Sequence, residues 1–569
     1  MSAWARLCRA GYAAAMGLLL AGVTFSSSAI GADEPLKASK SNPAKQTATQ
    51  LRKTAETAEK AGNWEGAFTA YCQLLVIDRN SSDIREKLNV ALRRTQQLRR
   101  HRDPQFQQFA SATSLSDALN LFGEVIAKVP VLYLERESCT PQLLWQYGIE
   151  ELARALGNAT FRQAFLDPSY GDRPNEKLEN FRSSLRRWAK EQISDARIAR
   201  TTLRKLLNTA QDDFSIRIPS ALVLEMVCGA CAGLDEYTVF LSPSQQNAEP
   251  QASLSDLSAY GIYLSFINGE VIVSGIAQGS WAAYHSQLHK GDKIARINGR
   301  SMDGATPLIA AEALRAISEG SRHIIDIAAG GSDEMAATVS LPVPVPTVYA
   351  PSIKEGVGYA RIGSFSINTP RELDNTIDLL KMQNGARAMI LDLRGNMGGS
   401  FQGSVDTAKR LIPNGLIVTT QGQLAEVSNQ LFSSDSGMSA HDLPIVVLID
   451  AETASAAEVL AAALKDNERA TLIGMPTFGK GAVQYPLKLV SLDDTDDQGK
   501  PRTNRSGTVR LTIAKLIAPK SGALNGVGIS PQILEPNPVR QLELAHEKAL
   551  ELIASSPRPP VVPSMPNDQ

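Results

Sequence analysis

The chain is short of cysteine and histidine, with five of one and six of the other in 569 residues. So few cysteines cannot staple a chain of this length, which excludes a disulfide-built scaffold. The histidines are scattered, and no HxxxH, HExxH or paired CxxC spacing occurs, so nothing prepares a metal site and no cofactor is expected. Neither charge is in excess: 58 Lys and Arg against 59 Asp and Glu leave a formal net charge of -1. That balance argues against a nucleic-acid partner. Long apolar runs are missing as well, with one exception.

The exception runs from about Gly11 to Phe25 behind Arg6 and Arg9, and it ends in small residues at Ala29-Ile30-Gly31. This predicts a secretory signal peptide over residues 1–31. The run falls short of the ~20 residues a spanning helix needs, so an uncleaved anchor is the lesser alternative. The expected location is extracytoplasmic, in a periplasm, with peripheral membrane association left open. Cys8 precedes the apolar run and marks no lipid-anchored end. Cys72, Cys139, Cys228 and Cys231 remain. Cys228-Gly229-Ala230-Cys231 has the spacing of a redox pair but lies in an apolar, helix-like stretch from Leu222 to Leu234, which predicts buried small side chains instead.

A chain of this length divides into several domains. Residues 32–50 lack an apolar period and read as a flexible linker. Residues 51–100 read as one tetratricopeptide-like helical hairpin, carried by Gly62-Asn63-Trp64-Glu65-Gly66-Ala67, Tyr71 and Leu75. A helical region follows over 101–245. Between 255 and 342 the pattern turns to short strands and turns, among them Ile262 to Ile267, the Asn268-Gly269 turn and Lys290 to Gly299. Pro342 to Pro351 reads as a stiff linker. From 350 to 540 strands and helices alternate, with strands at Gly358–Ile362, Ala388–Leu393 and Ile445–Ile449, which predicts an α/β layer whose strand-end loops carry the site. The tail 555–569 is Pro-rich and expected to be disordered.

Three segments of that layer carry chemistry. Strand Ile445–Ile449 leads through Asp450 to Ala454 into a helix opening at Ser455. Alone, Ser455-Ala456-Ala457-Glu458 is a capping box, and Thr453 and Ala457 stand where an α/β-hydrolase elbow has glycines. Leu391 to Gly399 is a buried strand ending in a glycine-rich turn, where bare backbone can offer N–H groups to an oxyanion. Pro476 to Gln484 sets Lys480 between Gly479 and Gly481, with Phe478, Val483 and Met475 to desolvate it towards the neutral form a general base needs.

Taken together, Thr453 to Glu458, Phe478 to Gln484 twenty-five residues on from Ser455 to Lys480, and the earlier Val357 to Ile362 and Leu391 to Gly399 resemble the carboxy-terminal processing (tail-specific) protease family. Gly233-Leu234-Asp235-Glu236-Tyr237-Thr238 resembles the segment preceding that family's PDZ domain, and Tyr260 to Leu341 resembles the PDZ domain itself. The resemblance covers about Leu143 to Leu534. It implies a multidomain α/β protein with an N-terminal helical region, a PDZ-like β-rich domain and a layered crotonase/Clp-like peptidase domain. It implies Ser455 as nucleophile, Lys480 as base, Gln484 one helical turn beyond the lysine as its orienter, and an oxyanion hole from the N–H groups of Ala456 and Gly398, with Gly399 the weaker choice. It implies Gly261 and Ile262 as a loop receiving a chain's C-terminal carboxylate. Substrates would be exported proteins with exposed tails, with an adaptor on the helical arm left open. The alternative is a proteolytically inactive PDZ and helical-repeat scaffold. The chain departs from the family at Pro531-Gln532-Ile533, Leu516-Ile517-Ala518 and Gln287-Leu288-His289. Its acidic Asp493 to Asp497 insert reads as a solvated hairpin tip.

Overall fold

A computed structural model of the chain describes residues 43 to 555, apart from short internal stretches of which 246–256 and 491–505 are the longest. The expected signal peptide, most of the Pro-rich tail and the acidic insert lie outside the described residues. Among them no helix is long and apolar enough to cross a membrane.

The first part is helical: α1 (Pro43–Lys60), α2 (Trp64–Ile77), α3 (Ser82–Arg102), α4 (Pro104–Ala112), α5 (Leu115–Leu132), α6 (Pro141–Gly157), α7 (Ala159–Phe165), α8 (Glu176–Trp188), α9 (Ala196–Asp213) and α10 (Pro219–Ala232). Short polar side chains start them. Asn63, Ser81, Asp103, Ser114, Thr140, Asn158 and Asp195 each accept a hydrogen bond from a first-turn N–H, satisfying donors that a helix start leaves open. Helix α1 begins inside the stretch read as linker, and α1 to α3 make three helices where one hairpin was expected. They share a small core of Ala55, Phe68, Tyr71, Leu74, Ile84 and Leu92. Arg100 locks α3 to the rest, its guanidinium donating to buried Glu225 at 2.9 and 3.0 Å and to Glu151 at 3.0 Å. Cys228 and Cys231 are buried, unpaired thiols of α10, packed in the larger helical core with Trp145 and Phe122.

Strand β1 (Val239–Leu241) leaves this region, and the β-rich unit follows with β2 (Ile262–Ile267), β3 (Glu270–Ile276), α11 (Trp281–His285), β4 (Lys293–Ile297), β5 (Arg300–Ser301), β6 (Arg322–Ala328) and β7 (Met335–Pro342). Its antiparallel order β2-β3-β4-β6-β7, with β5 on β4, leaves β2 at an edge.

The α/β unit comprises β8 (Val348–Tyr349), β9 (Ile353–Lys354), β10 (Val357–Ile362), α12 (Thr369–Met382), β11 (Ala388–Asp392), α13 (Phe401–Leu411), β12 (Gly415–Gly422), β13 (Leu431–Ser434), β14 (Ile445–Ile449), α14 (Ala456–Asp466), β15 (Ala470–Gly474), β16 (Ala482–Lys488), β17 (Thr508–Ala518), β18 (Gly522–Ala523), β19 (Ile533–Leu534) and α15 (Pro538–Ser555). Strands β10, β11, β14, β15 and β19 run parallel in neighbouring order. Every residue of β11 and β14 is buried, which is why they read as unbroken apolar runs. Leu391, Ile445, Val447 and Ile449 face α12 to α14, whereas Ile390, Val446 and Leu448 face α15. The unit therefore reaches to Ser555, past the boundary expected at 540, and buried Val348 and Tyr349 of the expected linker join the sheet through β10. A second sheet, β1-β17-β12-β13 with β16 and β18 on β17, covers the other side of α14. The run of alanines in α14 lets it lie between both sheets. The helical core continues onto Leu487, Val509, Leu511 and Ile513 of β16 and β17, so the helical region and the second sheet share one interior.

Candidate active site

Ser455 sits between the end of β14 and the first turn of α14 with φ 57° and ψ -119°, a left-handed geometry that costs a non-glycine residue about 1–3 kcal/mol and persists only where its surroundings enforce it. They do. Asp450 Oδ1 accepts from the N–H groups of Gly395, Glu452 and Thr453, each at 3.0 Å, and Thr453 Oγ1 donates to the Leu393 carbonyl at 2.9 Å. The turn before the serine is thus tied to the turn after β11.

Glu458 is the residue that sequence reasoning undervalued. The return half of the expected capping box forms, with Ser455 N–H donating to Glu458 Oε2 at 2.9 Å. The same oxygen accepts from Lys480 N–H at 2.7 Å, while Oε1 accepts from Gly479 N–H at 2.7 Å and Thr477 Oγ1 at 2.5 Å. The side chain is fully buried. Burial raises its pKa, and the hydrogen bonds from Thr477, Gly479, Ser455 and Lys480 oppose that rise. Phe478 N–H donating to the Thr453 carbonyl at 2.9 Å closes the junction a second time. The serine turn and the lysine loop, twenty-five residues apart in sequence, are therefore held by one carboxylate. The capping-box pattern was the only sequence signal for it.

The lysine loop needs both its glycines. A Cβ at Gly481 would meet the Asn525 nitrogen at 2.4 Å, and Gly479, at φ 95°, would meet Val527 and Gly528 nitrogens at 3.1 Å. Lys480 itself is half-buried, its Nζ lying 5.7 Å from the centre of the Tyr237 ring. Gln484 is not one helical turn further on. It lies on β16 opposite Thr512, beside a register shift, because β16 pairs along β17, and its Nε2 is buried without a hydrogen-bond partner.

The glycine-rich turn comes close to the serine. A Cβ on Gly398 would lie 2.9 Å from Ser455 Cβ and 3.1 Å from the Ala456 nitrogen. Ala456 N–H is among the first-turn donors that α14 leaves open. Gly398 N–H, however, donates to the buried Asn396 Oδ1 at 2.9 Å, so a substrate oxygen can claim it only by displacing that side chain. Asn396 Nδ2 donates to the Ile362 carbonyl and its own carbonyl accepts from Ala454 N–H, both at 2.9 Å. Beneath the turn, fully buried Asp392 accepts from Tyr359 Oη at 2.5 Å, Arg361 Nη1 at 3.2 Å and Arg394 Nη2 at 2.6 Å. Burial alone would raise its pKa, but the charges of Arg394 and Arg361 hold it down at about 2. Gly261, at φ 82°, and Ile262 open the edge strand β2, away from the serine turn along the chain, and Tyr263 of that strand faces Glu452, Arg361 and Asp450 electrostatically.

Among the described residues no cluster of three or more His, Cys, Asp or Glu could hold a metal ion.

The sequence profile of peptidase family S41 matches residues 356–534 and that of the PDZ domain residues 251–324. The chain is 32% identical over 319 residues to a carboxyl-terminal-processing protease of Synechocystis, covering 54% of this chain and 70% of that one. It is 30% identical over 337 residues to a carboxyl-terminal-processing protease of Picosynechococcus, covering 56% and 76%. With the carboxy-terminal processing protease CtpA of Bacillus subtilis it shares 29% identity over 315 residues, 54% of this chain and 64% of the relative. Among solved structures, the photosystem II D1 C-terminal processing protease overlaps 72% of this chain and 97% of its own, at 23% identity and a TM-score of 0.35.

Proposed function

Because the chain belongs to peptidase family S41, the family of the carboxy-terminal processing proteases, we propose that it is a serine endopeptidase in which Ser455 is acylated and Lys480 takes its proton. The observation that carries this reading is the shared oxygen of Glu458, which accepts both the Ser455 and the Lys480 main-chain N–H. In the reaction, Ser455 Oγ attacks the scissile carbonyl as its proton passes to Lys480 Nζ, and the ammonium returns a proton to the leaving amine. Water then hydrolyses the ester, with the lysine again as base. The developing oxyanion is met by Ala456 N–H and by Gly398 N–H once Asn396 yields it, with Gly399 as the neighbouring donor. Substrates are proteins with accessible tails, whose terminal carboxylate is received at Gly261 and Ile262 beside β2, which ends its sheet among the described residues. Export through residues 1–31 to a periplasm belongs to the same proposal and rests on Arg6, Arg9 and the apolar run behind them.

The test is the mature protein incubated with an extracytoplasmic extract beside its Ser455→Ala and Lys480→Ala forms, with new C-termini identified by mass spectrometry. Each variant should lose cleavage completely while keeping its fold, since the two groups act as one unit. Cleavage by either at near wild-type rate would sink the mechanism.

A further inference from the structure

Tyr237 belongs to no strand or helix of the α/β unit, yet it lies against the lysine. The segment that carries it is built rigidly. Asp235 Oδ1 accepts from Tyr237 N–H and Thr238 N–H, both at 2.7 Å, and its Oδ2 accepts from Thr238 Oγ1 at 2.9 Å. Thr512 of β17 donates its N–H to Thr238 Oγ1 at 3.2 Å and its hydroxyl to Asp235 Oδ1 at 3.2 Å. Strand β1 then pairs with β17 from Val239 onwards. Since β16 also pairs with β17, one strand sets both the tyrosine and the residues following Lys480. The ring is buried, and the Lys480 Nζ lies 5.7 Å from its centre, inside the ~6 Å at which an aromatic face attracts a cation.

We infer that Tyr237 is a positioning residue for the lysine, its ring face stabilising Lys480 in the protonated form that exists once the serine proton has been taken. The inference rests on Lys480 being the base. Its chemical logic is that of differential binding: the ring favours the ammonium over the free amine, and the ammonium develops as the Ser455 Oγ–H bond breaks and the Oγ–carbonyl bond forms. The same preference makes the resting lysine harder to deprotonate. Ring removal therefore has two opposed consequences. The alkaline limb of the rate profile moves to lower pH, because the free amine is reached sooner. The plateau rate falls, because the ammonium formed in the reaction is less stabilised.

Other charged groups face this pair. Glu458 holds the Lys480 main chain. Glu236 and Asp235 flank the tyrosine electrostatically, and Arg85 of α3 faces Glu236 and comes within 3.4 Å of the space beside Gly526. Glu236 also shares a side-chain hydrogen bond with Tyr237, and both Tyr237→Phe and Tyr237→Leu lose it, so the phenylalanine form is the reference against which loss of the ring face is read.

The experiment follows cleavage of an internally quenched peptide with an apolar tail and a free C-terminus, from pH 6 to 10, by the full mature chain. Tyr237→Phe keeps the ring face and serves as reference. Tyr237→Leu keeps apolar volume without the face, and its midpoint should fall by about half to one and a half pH units while its plateau drops about two- to ten-fold. Should the leucine form not fold, phenylalanines of rising fluorine content introduced at 237 keep the shape and weaken the face, and the midpoint should fall stepwise along the series. A plateau loss with an unmoved or raised midpoint in the leucine form, or a flat fluorine series, overturns the inference and leaves the Ser455 and Lys480 assignment standing. Lys480→Ala cleaving at wild-type rate would remove both.

Discussion

The turns after β11 and β14 are each organised round a fully buried carboxylate, and the two are satisfied in opposite ways. Asp392 is charge-compensated, with Arg361 and Arg394 against it and a tyrosine hydroxyl besides. Glu458 is held by three backbone N–H groups and a threonine hydroxyl. The first arrangement keeps the acid ionised far below neutrality. The second leaves burial dominant, so the pKa is raised. Cations anchor a turn to the body of the fold, here through Arg394 to the Pro538 carbonyl and Gln541 of α15. Main-chain donors do something more local: they fix where the backbone of Ser455 and Lys480, the proposed nucleophile and base, lies.

That contrast predicts different damage. Asp392→Asn leaves two buried guanidinium groups without their counter-charge, which should cost about 3–5 kcal/mol in urea denaturation. In the parent, sign follows from the lowered pKa: the aspartate's contribution is present above the unfolded value near 3.8 and is lost as pH falls towards about 2. The variant's stability should lack that acid-side slope. Glu458→Gln should be milder for stability and harsher for chemistry. The amide offers one oxygen where four donors need two, so one pair faces an NH2 group. We expect roughly 1–3 kcal/mol of lost stability and a fall in kcat of about a hundred-fold with KM little changed, because the Ser455 and Lys480 backbones are no longer held together. A near wild-type kcat would erase the distinction between the two carboxylates.

Much of this was legible in sequence. Parallel strands buried on both faces read as apolar runs, so the sequence places Ile445–Ile449 to the residue, whereas Ser455, Lys480 and Gly398 are singled out by the resemblance of their segments to the carboxy-terminal processing family. What escaped was non-local. Glu458 already had a local meaning as a cap, which concealed its reach to the lysine loop. The resemblance implies Gln484 one helical turn beyond the lysine, and nothing local in the sequence shows that β16 pairs with β17 instead. Tyr237 was read as part of a motif without a role, since only the pairing of β1 with β17 brings it to Lys480. Helix α1 begins at Pro43 in polar sequence, where its packing against α2 is invisible to composition.

A third acid sharpens the comparison from the other side. Glu452 has neither adequate cations nor a set of donors: burial and the neighbouring Asp450 push its pKa up to about 9, with Arg361 only partly opposing. A raised acid pKa means the fold prefers the proton, so its favourable contribution is full below about 4.5 and is lost as pH rises towards 9. Glu452→Gln mimics the protonated form. It should flatten the stability profile between pH 5 and 9 and raise stability at pH 8 by about 2 kcal/mol, measured by urea denaturation at both ends. An unchanged slope would show that water reaches the carboxylate at the junction with Tyr263.

The smallest effect concerns a carboxylate that arrives with the substrate. If Gly261 and Ile262 present main-chain N–H groups to a chain terminus, that terminus is held as Glu458 is, by backbone donors without a cation. A charge-assisted hydrogen bond of this kind contributes roughly 1.5–3 kcal/mol, and amidation replaces the anion by a neutral amide that can donate where only acceptors are wanted. One long peptide with a free or an amidated C-terminus should therefore differ about ten-fold in KM, with kcat alike, because amidation changes only the group received at Gly261 and Ile262 and neither Ser455 nor Lys480. A form lacking residues 260–341 should treat both peptides equally. Equal KM values on the intact chain would show that backbone donors alone do not recognise the tail, and would confine the rule drawn from Glu458 to carboxylates that burial has already dehydrated.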